Sequence, residues 1–295
     1  MTKLRLALED ELGCADVGAL VCAPIQRSAG GFPVTFEYYV GVHHPHWLER
    51  SGPPLFVSRR SLARYKGRLP RARGRWALDS GGFTELSERG SWSITAVEYA
   101  SEVRRYAAEI GGLVFAAAQD WMCEPPVLAK TGSTEEQHQE RSIDNYIELM
   151  SIAPELPWMP TLQGWCRYSH VRHLDRYFER GVDLTKLARV GVGSICRRPK
   201  LASTVLILSM LASSGLDGRL HGFGLKVQAL KIAAPYLASA DSLAWSFGSR
   251  RRKLAKEPGW QFEQPNAIET AVDWYESKIE PIQRTTAHRF QRRMD

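Results

Sequence analysis

Short apolar runs that are typical of β-strands alternate along the chain with segments of helical periodicity. Runs of four to six residues, mostly apolar and bounded by Gly, Pro or polar residues, predict strands. These strands are expected at 54–58, 76–79, 113–118, 159–163, 190–193, 220–223 and 243–247, with a further strand upstream at 19–23 or 37–42.

Capping signals indicate where the helices between these strands begin. Thr95 and Glu98 form a Thr-x-x-Glu capping box, after which apolar residues keep helical spacing until Gly111 and Gly112. The other predicted starts carry the same kind of signal and are Ser133 with Glu136, Ser169, and Asn266 with Glu269.

Strands and helices that alternate in this way imply a parallel sheet, which is either closed into a barrel or open and doubly wound. Six or seven βα units and a length of 295 residues favour the barrel. We therefore predict an α/β fold, a (β/α)8 barrel of the TIM type, in a single domain over residues 1–295. Residues 1–50 are expected to be an N-terminal elaboration, and residues 250–295 a basic helical tail.

The composition narrows the class of protein. A hydrophobic content of 44% and a charged content of 24% are ordinary for a globular protein and exclude collagen-like, disordered and coiled-coil classes. The N-terminus turns acidic before a signal-peptide core can form, and no apolar run is long enough to span a membrane, so a cytoplasmic location is expected. Five widely spaced cysteines without a CxxC pair support neither a disulfide framework nor a zinc ribbon.

The net charge of +7 is unevenly distributed. Residues 59–75 contain eight basic residues and no acid, and a second basic run follows at Arg250, Arg251, Arg252 and Lys253. Clustered cations suit the neutralisation of phosphates, although a single run is also compatible with a solvated basic face. Two runs in one chain favour a polyanionic partner, and we predict that Arg250–Lys253 bind nucleic acid.

Polar residues follow several of the predicted strands, where (β/α)-barrels place their reactive groups. They are Asp79, Asp120, Gln163, Ser194, His221 and Asp241. The stretch from Trp76 to Phe83 is the most informative, because an apolar strand runs into Asp-Ser and two glycines then permit a sharp turn. Four of these residues also have a structural explanation: Asp241 could cap a turn, Asp120 could pair with an arginine, Gln163 could cap backbone groups, and His221 could satisfy a local hydrogen bond.

Several of these segments together resemble the tRNA-guanine transglycosylase superfamily. The similarity covers roughly residues 54 to 250, in the family's order, and looks closest to the phage and bacterial branch that places 7-deazaguanines into DNA. The matching segments are Asp79-Ser80-Gly81-Gly82-Phe83, Asp120 with Cys123, Leu162-Gln163-Gly164, Gly191-Val192-Gly193-Ser194, Leu220-His221-Gly222-Phe223-Gly224, and residues 240–250, which contain Asp241.

The resemblance implies a reaction and a set of site residues. Guanine in nucleic acid would be exchanged for a free 7-deazaguanine through a covalent intermediate on Asp241, with Asp79 as the general acid and base. Asp120, Gln163, Gly193 and Ser194 would read the base edge, Ser80 and Gly81 would line the slot, and Phe83 would stack on the base. No cofactor and no metal are predicted, and partner proteins of a DNA-modification system could open the duplex.

Two departures from the tRNA enzymes bear on these expectations. Their nucleophile lies about three positions beyond the counterpart of Asp241, where this chain has Ala244. If Asp241 faces away from the site, Asp79 would have to act as the nucleophile. The second departure is the missing zinc subdomain, which argues against an ordinary tRNA substrate and favours DNA. The alternatives are a tRNA-specific exchange enzyme, a hydrolase of the same glycosidic bond, and an inactive nucleic-acid-binding barrel.

Overall fold

The fold was analysed in a computed structural model of the chain. The described residues are 36–196, 198, 200–246 and 267–291, with side chains described up to residue 287. No helix among them combines the length and the apolar character needed to cross a membrane.

The described part of the chain contains nine strands, all paired in parallel in one sheet. The strands are β1 (Glu37–Val42), β2 (Leu55–Ser58), β3 (Trp76–Asp79), β4 (Leu113–Ala117), β5 (Trp158–Met159), β6 (Thr161–Leu162), β7 (Val190–Val192), β8 (Leu220–Gly222) and β9 (Leu237–Ser242). Their order across the sheet is β5-β4-β3-β2-β1-β9-β8-β7-β6.

The sheet closes because its two end strands belong to the same stretch of chain. Only Pro160 separates β5, which pairs with β4, from β6, which pairs with β7. Proline has no backbone N–H to donate to a neighbouring strand, so the ladder is interrupted at this residue. Its carbonyl still accepts a 2.8 Å hydrogen bond from the backbone N–H of Gly191. The broken strand therefore completes an eight-position barrel, and the predicted TIM-type fold is confirmed.

Helices follow most of the strands and cover the outside of the barrel. They are α1 (Arg59–Leu62), α2 (Gly82–Arg89), α3 (Ala96–Ile110), α4 (Pro125–Thr131), α5 (Glu135–Ile152), α6 (Arg167–Glu179), α7 (Leu201–Leu211), α8 (Val227–Ala233), α9 (Ile268–Lys278) and α10 (Glu280–Gln291). The predicted capping box of α3 is present: the Thr95 hydroxyl accepts from the backbone N–H of Glu98, and the Glu98 carboxylate accepts from that of Thr95.

Two other helix starts differ from their predictions by one to three residues. The capping box of α5 is formed by Thr134 and Gln137 rather than by Ser133 and Glu136. The backbone N–H of Ser133 is already bonded to the Thr131 hydroxyl, so Ser133 belongs to the preceding turn. Ser169 is not the first residue of α6 but lies inside its first turn, where its hydroxyl bonds the backbone of Cys166. Asn266, the predicted cap of α9, lies outside the described residues.

The last barrel strand does not lie where the sequence predicted it. A strand at 243–247 was expected, but the strand is β9, at Leu237–Ser242. Apart from Leu237, its residues are small or polar, and all six are buried. The strand thus lacks the β-branched and aromatic residues that usually signal a strand. Leu243 and Trp245 lie after the end of β9. Leu243 is 42% exposed, and Trp245 packs on Trp47 at a ring-centroid distance of 5.5 Å.

Both expected end segments contain parts of the barrel. β1 lies within residues 1–50 and pairs with β2 and β9, so the barrel begins before residue 50. Within residues 250–295, α9 packs Trp274 and Tyr275 against Tyr38 of β1, with ring-centroid distances of 5.9 and 6.3 Å. The Gln283 side chain of α10 donates a 3.1 Å hydrogen bond to the carbonyl of Phe36. Hydrophobic burial and backbone capping therefore hold these two helices to the barrel.

Side-chain alternation along the strands separates the barrel interior from the surrounding helical layer. Tyr39, Phe56 and Phe115 belong to a separate interior cluster, whereas Tyr38 and Leu78 belong to the larger core beneath the helices. Asp79 lies two residues after Ala77, another member of the interior cluster, and Asp241 is the register partner of Tyr39. The periodicity of two therefore directs both carboxylates into the barrel, at the carboxyl ends of β3 and β9.

Candidate active site

Asp79 is a half-buried carboxylate at the carboxyl end of β3. The pKa of Asp79 is raised from 3.8 to about 6, chiefly by burial. The negative charge of Asp241 also raises this pKa, whereas hydrogen bonds from the Gly81 backbone and the Ser58 hydroxyl lower it. A carboxyl group with a pKa of about 6 exchanges its proton readily near neutral pH. Asp79 can therefore act as an acid and then as a base.

Asp241 is the second inward carboxylate, and its side chain is fixed by contacts at one oxygen. Its Oδ1 accepts a 3.1 Å hydrogen bond from the backbone N–H of Gly224 and lies 3.3 Å from Nε2 of His221. Within the part of the chain that is described, both contacts go to Oδ1. Asp241 therefore does not face away from the site, and Oδ2 makes no hydrogen bond with the described residues.

Ala244, at the position of the nucleophile in the tRNA enzymes, cannot supply a carboxylate. Its backbone N–H donates a 3.0 Å hydrogen bond to the Ser242 hydroxyl, in the turn that follows β9. The end of β9 and this turn thus present one carboxylate to the barrel interior, that of Asp241.

A chain of buried polar side chains crosses the barrel mouth from β4 to β7. The Gln163 amide nitrogen donates to Asp120 Oδ2, and the Ser194 hydroxyl lies 2.7 Å from Gln163 Oε1. Burial raises the pKa of Asp120 from 3.8 to about 7, with smaller increases from the charges of Asp79 and Glu124, while the Gln163 amide lowers it. Asp120 therefore accepts from an amide and has no ion pair with an arginine among the described residues.

The backbone at Gly193 and Ser194 is shaped around Gln163. A Cβ at Gly193 would overlap the Gln163 amide, so only glycine leaves room for this side chain. Ser194 has a φ of +54°, in the left-handed region that side chains rarely adopt. The conformation directs the Ser194 hydroxyl into the polar chain, where it also accepts a 3.0 Å hydrogen bond from the backbone N–H of Cys123.

The loop after β3 connects this polar chain to Asp79. Gly81 has a φ of +80° and starts α2, and the Ser80 hydroxyl accepts from the backbone N–H of Gly82 and lies 3.4 Å from Asp120 Oδ1. Phe83 is partly buried against an apolar cluster that contains Met122. The structure thus places the Ser-Gly-Gly-Phe segment beside the expected base-reading residues.

Glu124 is a candidate site residue that the sequence did not indicate. Its side chain is 6% exposed, and Oε2 lies 2.8 Å from the Ser194 hydroxyl, which is also bonded to Gln163. The Ser194 hydroxyl carries one hydrogen, so it can donate to Glu124 or to Gln163 but not to both. The only signal in the sequence is a carboxylate directly before Pro125-Pro126 at a helix start.

Arginines stack on aromatic rings at the rim of this site. Arg141 lies 4.5 Å from the ring centroid of Trp121, which follows Asp120, and Arg198 lies 4.5 Å from that of Trp165, which lies two residues after Gln163. These cation–π pairs give the rim positive charge next to flat apolar surfaces. Cys123, also in this region, is buried with the pKa of its thiol raised, so it packs as a small apolar side chain.

The predicted basic patches are only partly accounted for. Arg250, Arg251, Arg252 and Lys253 lie outside the described residues. In the run 59–75, Arg59 is buried in ion pairs with Glu102 at 2.6 Å and Glu85 at 3.7 Å, so this cation is internal. No group of three His, Cys, Asp or Glu side chains that could hold a metal occurs among the described residues.

The fold and the site together define a class of protein. Two inward carboxylates and a polar chain at the carboxyl end of a (β/α)8 barrel lie where barrel enzymes place their reactive groups. The model of the family DpdA, DeoxyPurine in DNA protein A, matches residues 34–290, and the chain belongs to this family of DNA 7-deazaguanine transglycosylases, which is related to the tRNA-guanine transglycosylases. No curated protein matches the chain. The family acts on DNA, which supports a nucleic-acid partner.

Proposed function

We propose that this protein replaces a guanine in DNA with a free 7-deazaguanine, such as a 7-cyano-7-deazaguanine, through a covalent sugar ester of Asp241. The observation that carries the proposal is the pair Asp79 and Asp241, two inward carboxylates in different environments at one end of the barrel. Exchange at an anomeric carbon needs these two functions, a nucleophile and a proton carrier.

In the first half-reaction, Oδ2 of Asp241 attacks the anomeric carbon of the extruded deoxyguanosine. The bond between this carbon and guanine N9 breaks, and its electron pair leaves with the guanine. Asp79, protonated as its raised pKa favours near pH 6, gives its proton to the departing base. The products are free guanine and DNA esterified to Asp241.

In the second half-reaction, the entering 7-deazaguanine gives its N9 proton to Asp79, now a carboxylate. N9 attacks the anomeric carbon, and the ester bond to Asp241 breaks with return of its electron pair to the carboxylate. Asp79 is protonated again at the end of the cycle, so protons and charge balance over the exchange of one base for another.

The base must leave the DNA stack to reach this site, and the polar chain at the barrel mouth would read its edge. The carboxylate of Asp120, the amide of Gln163 and the backbone around Gly193 and Ser194 offer acceptors and donors that match a guanine-like edge. Phe83, partly buried beside them, would contact the base face. Both bases share this edge and differ at position 7, so one pocket can serve the leaving and the entering base.

The proposal is tested by incubating the protein with DNA that carries labelled guanine and with a 7-deazaguanine, with labelled tRNA in a parallel reaction. Loss of label and incorporation of the new base are expected for DNA. Asp241→Asn should abolish the covalent adduct seen by intact-mass analysis, and Asp79→Asn should slow guanine release by about 100-fold or more. Asp175→Asn, at an exposed position on α6, is the matched control and should exchange normally.

The other outcomes contradict specific parts of the proposal. Exchange into tRNA but not into DNA would contradict the assignment of DNA as the substrate. Release of guanine without incorporation would indicate a hydrolase. An adduct that persists in Asp241→Asn but disappears in Asp79→Asn would assign the nucleophile to Asp79.

A further inference from the structure

His221 of β8 is an ionisable side chain enclosed in the barrel interior below the two carboxylates. Its imidazole is fully buried and is surrounded by the rings of Tyr39, Phe56, Phe115 and Phe223, at centroid distances of 6.3, 5.5, 5.1 and 4.8 Å. A polar ring inside an aromatic box costs free energy unless its nitrogens are bonded. The partners of these nitrogens therefore indicate what the residue does.

Both nitrogens of His221 face β9. Nδ1 lies 2.9 Å from the Ser239 hydroxyl, the register partner of His221, and Nε2 lies 3.3 Å from Asp241 Oδ1. Burial lowers the pKa of His221, which favours the neutral ring with one N–H. A hydrogen on Nε2 would face the carboxylate, which can only accept, and Nδ1 would then accept from the Ser239 hydroxyl.

The orientation of this Ser–His–Asp series differs from that of a hydrolase triad. Ser239 is fully buried and contacts the other ring nitrogen of His221, so its hydroxyl cannot reach a substrate. Asp241 is the member at the barrel mouth. In the proposed mechanism the reacting member is therefore the carboxylate of Asp241. The Ser239 hydroxyl would fix the tautomer of His221, which lies below Asp241.

We propose that His221 is a positioning residue that, together with the Gly224 backbone N–H, holds Oδ1 of Asp241 and stabilises this carboxylate as it leaves the sugar; this inference rests on the proposed function. In the resting protein Nε2 is not in line with Oδ1 and has no well-aligned hydrogen bond among the described residues. Catalytic hydrogen bonds commonly align only when the substrate is bound.

The two half-reactions should depend on His221 to different extents. Attack by Oδ2 consumes negative charge on Asp241, so a donor at Oδ1 contributes little to this step beyond orientation. Breakdown of the ester returns the electron pair to Asp241, and negative charge develops on Oδ1 beside the His221 N–H. Loss of this donor should therefore slow incorporation of the 7-deazaguanine more than release of guanine.

The experiment measures both half-reactions in single turnovers of the full chain with labelled DNA. His221→Phe fits the aromatic box but has no donor, and the ratio of incorporation rate to guanine-release rate should fall by about 10- to 100-fold, with accumulation of the covalent adduct. His221→Gln keeps a donor for Asp241 and an acceptor for Ser239, so it should retain most of the wild-type ratio. Phe56→Leu perturbs the box without removing the donor and should leave the ratio unchanged.

An unchanged ratio in His221→Phe, or an equal fall in His221→Gln, would overturn the inference. If thermal melting shows that His221→Phe does not fold, Ser239→Ala supplies the test, because loss of the tautomer lock should lower the same ratio to a smaller extent. A wild-type protein that forms no adduct would instead refute the proposed function, so the two failures are distinguishable.

Discussion

Asp120 is expected to destabilise the folded protein at neutral and alkaline pH, and Asp120→Asn should relieve this cost. The pKa of the buried carboxyl is raised from 3.8 to about 7, so the folded state binds the proton more tightly than the unfolded state. The contribution of this proton to the free energy of unfolding is at its maximum below about pH 4 and is lost as the pH rises to about 7. Asparagine has no proton to lose and can still accept from the Gln163 amide.

The size of the effect follows from the shift in pKa. One pKa unit corresponds to about 1.4 kcal/mol, so the full shift is worth about 4 kcal/mol, of which about 3 kcal/mol falls between pH 5 and pH 8. Urea unfolding of both proteins at pH 5 and pH 8 measures it. The free energy of unfolding of Asp120→Asn, relative to that of wild type, should be about 3 kcal/mol higher at pH 8 than at pH 5.

The unfolding experiment on Asp120→Asn has a matched control and an outcome that would contradict the reasoning. Asp175 is exposed on α6, so Asp175→Asn should change the free energy of unfolding by the same small amount at both pH values. If Asp120→Asn shows the same difference from wild type at pH 5 and pH 8, burial does not set the pKa of Asp120.

Three further outcomes are expected. Gly193→Ala should lower exchange by at least about 100-fold while the protein still folds, because the new methyl group displaces the Gln163 amide; exchange rates and thermal melting are compared. Thr95→Ala should lower the free energy of unfolding by about 1 kcal/mol, through loss of the capping box of α3, without changing exchange at 25 °C. Arg141→Ala should reduce the slope of log K for DNA binding against log salt concentration by about one, the contribution of one phosphate contact. Arg172 is an exposed cation on α6, and Arg172→Ala should leave this slope unchanged.

Much of the barrel was predictable because most of its strands carry an ordinary signal. Trp76–Asp79 and Leu55–Ser58 are apolar runs between loop residues, and both lie within one residue of the expected bounds. β9 was displaced because the sequence Leu-Ala-Ser-Ala-Asp-Ser lacks that signal and the next residues are more apolar. Small side chains suit a strand that is buried on both faces and lies next to β1, and this requirement comes from packing across the sheet rather than from local sequence.

The site was predictable where residues follow strands and unpredictable where contacts cross between loops. Asp79, Asp120 and Gln163 lie at strand ends, so their convergence follows from parallel strands in a barrel. Glu124 enters the site through a hydrogen bond to Ser194, 70 residues away, and no spacing rule indicates such a contact. Within the family, the DNA substrate follows from the match over residues 34–290, whereas the role of each carboxylate remains a proposal.

The chemistry of the two carboxylates depends on what the barrel places beneath and beside them. Asp79 receives hydrogen bonds from Gly81 and Ser58, but burial outweighs them and raises its pKa, which suits a proton carrier. Asp241 is held by the Gly224 backbone, with His221 below it among aromatic rings. A nucleophile that must also leave needs fixed donors near one oxygen and an open path to the other. The interior of one barrel thus provides two environments for the same side chain, and in the proposed mechanism these environments would divide attack and proton transfer between the two aspartates.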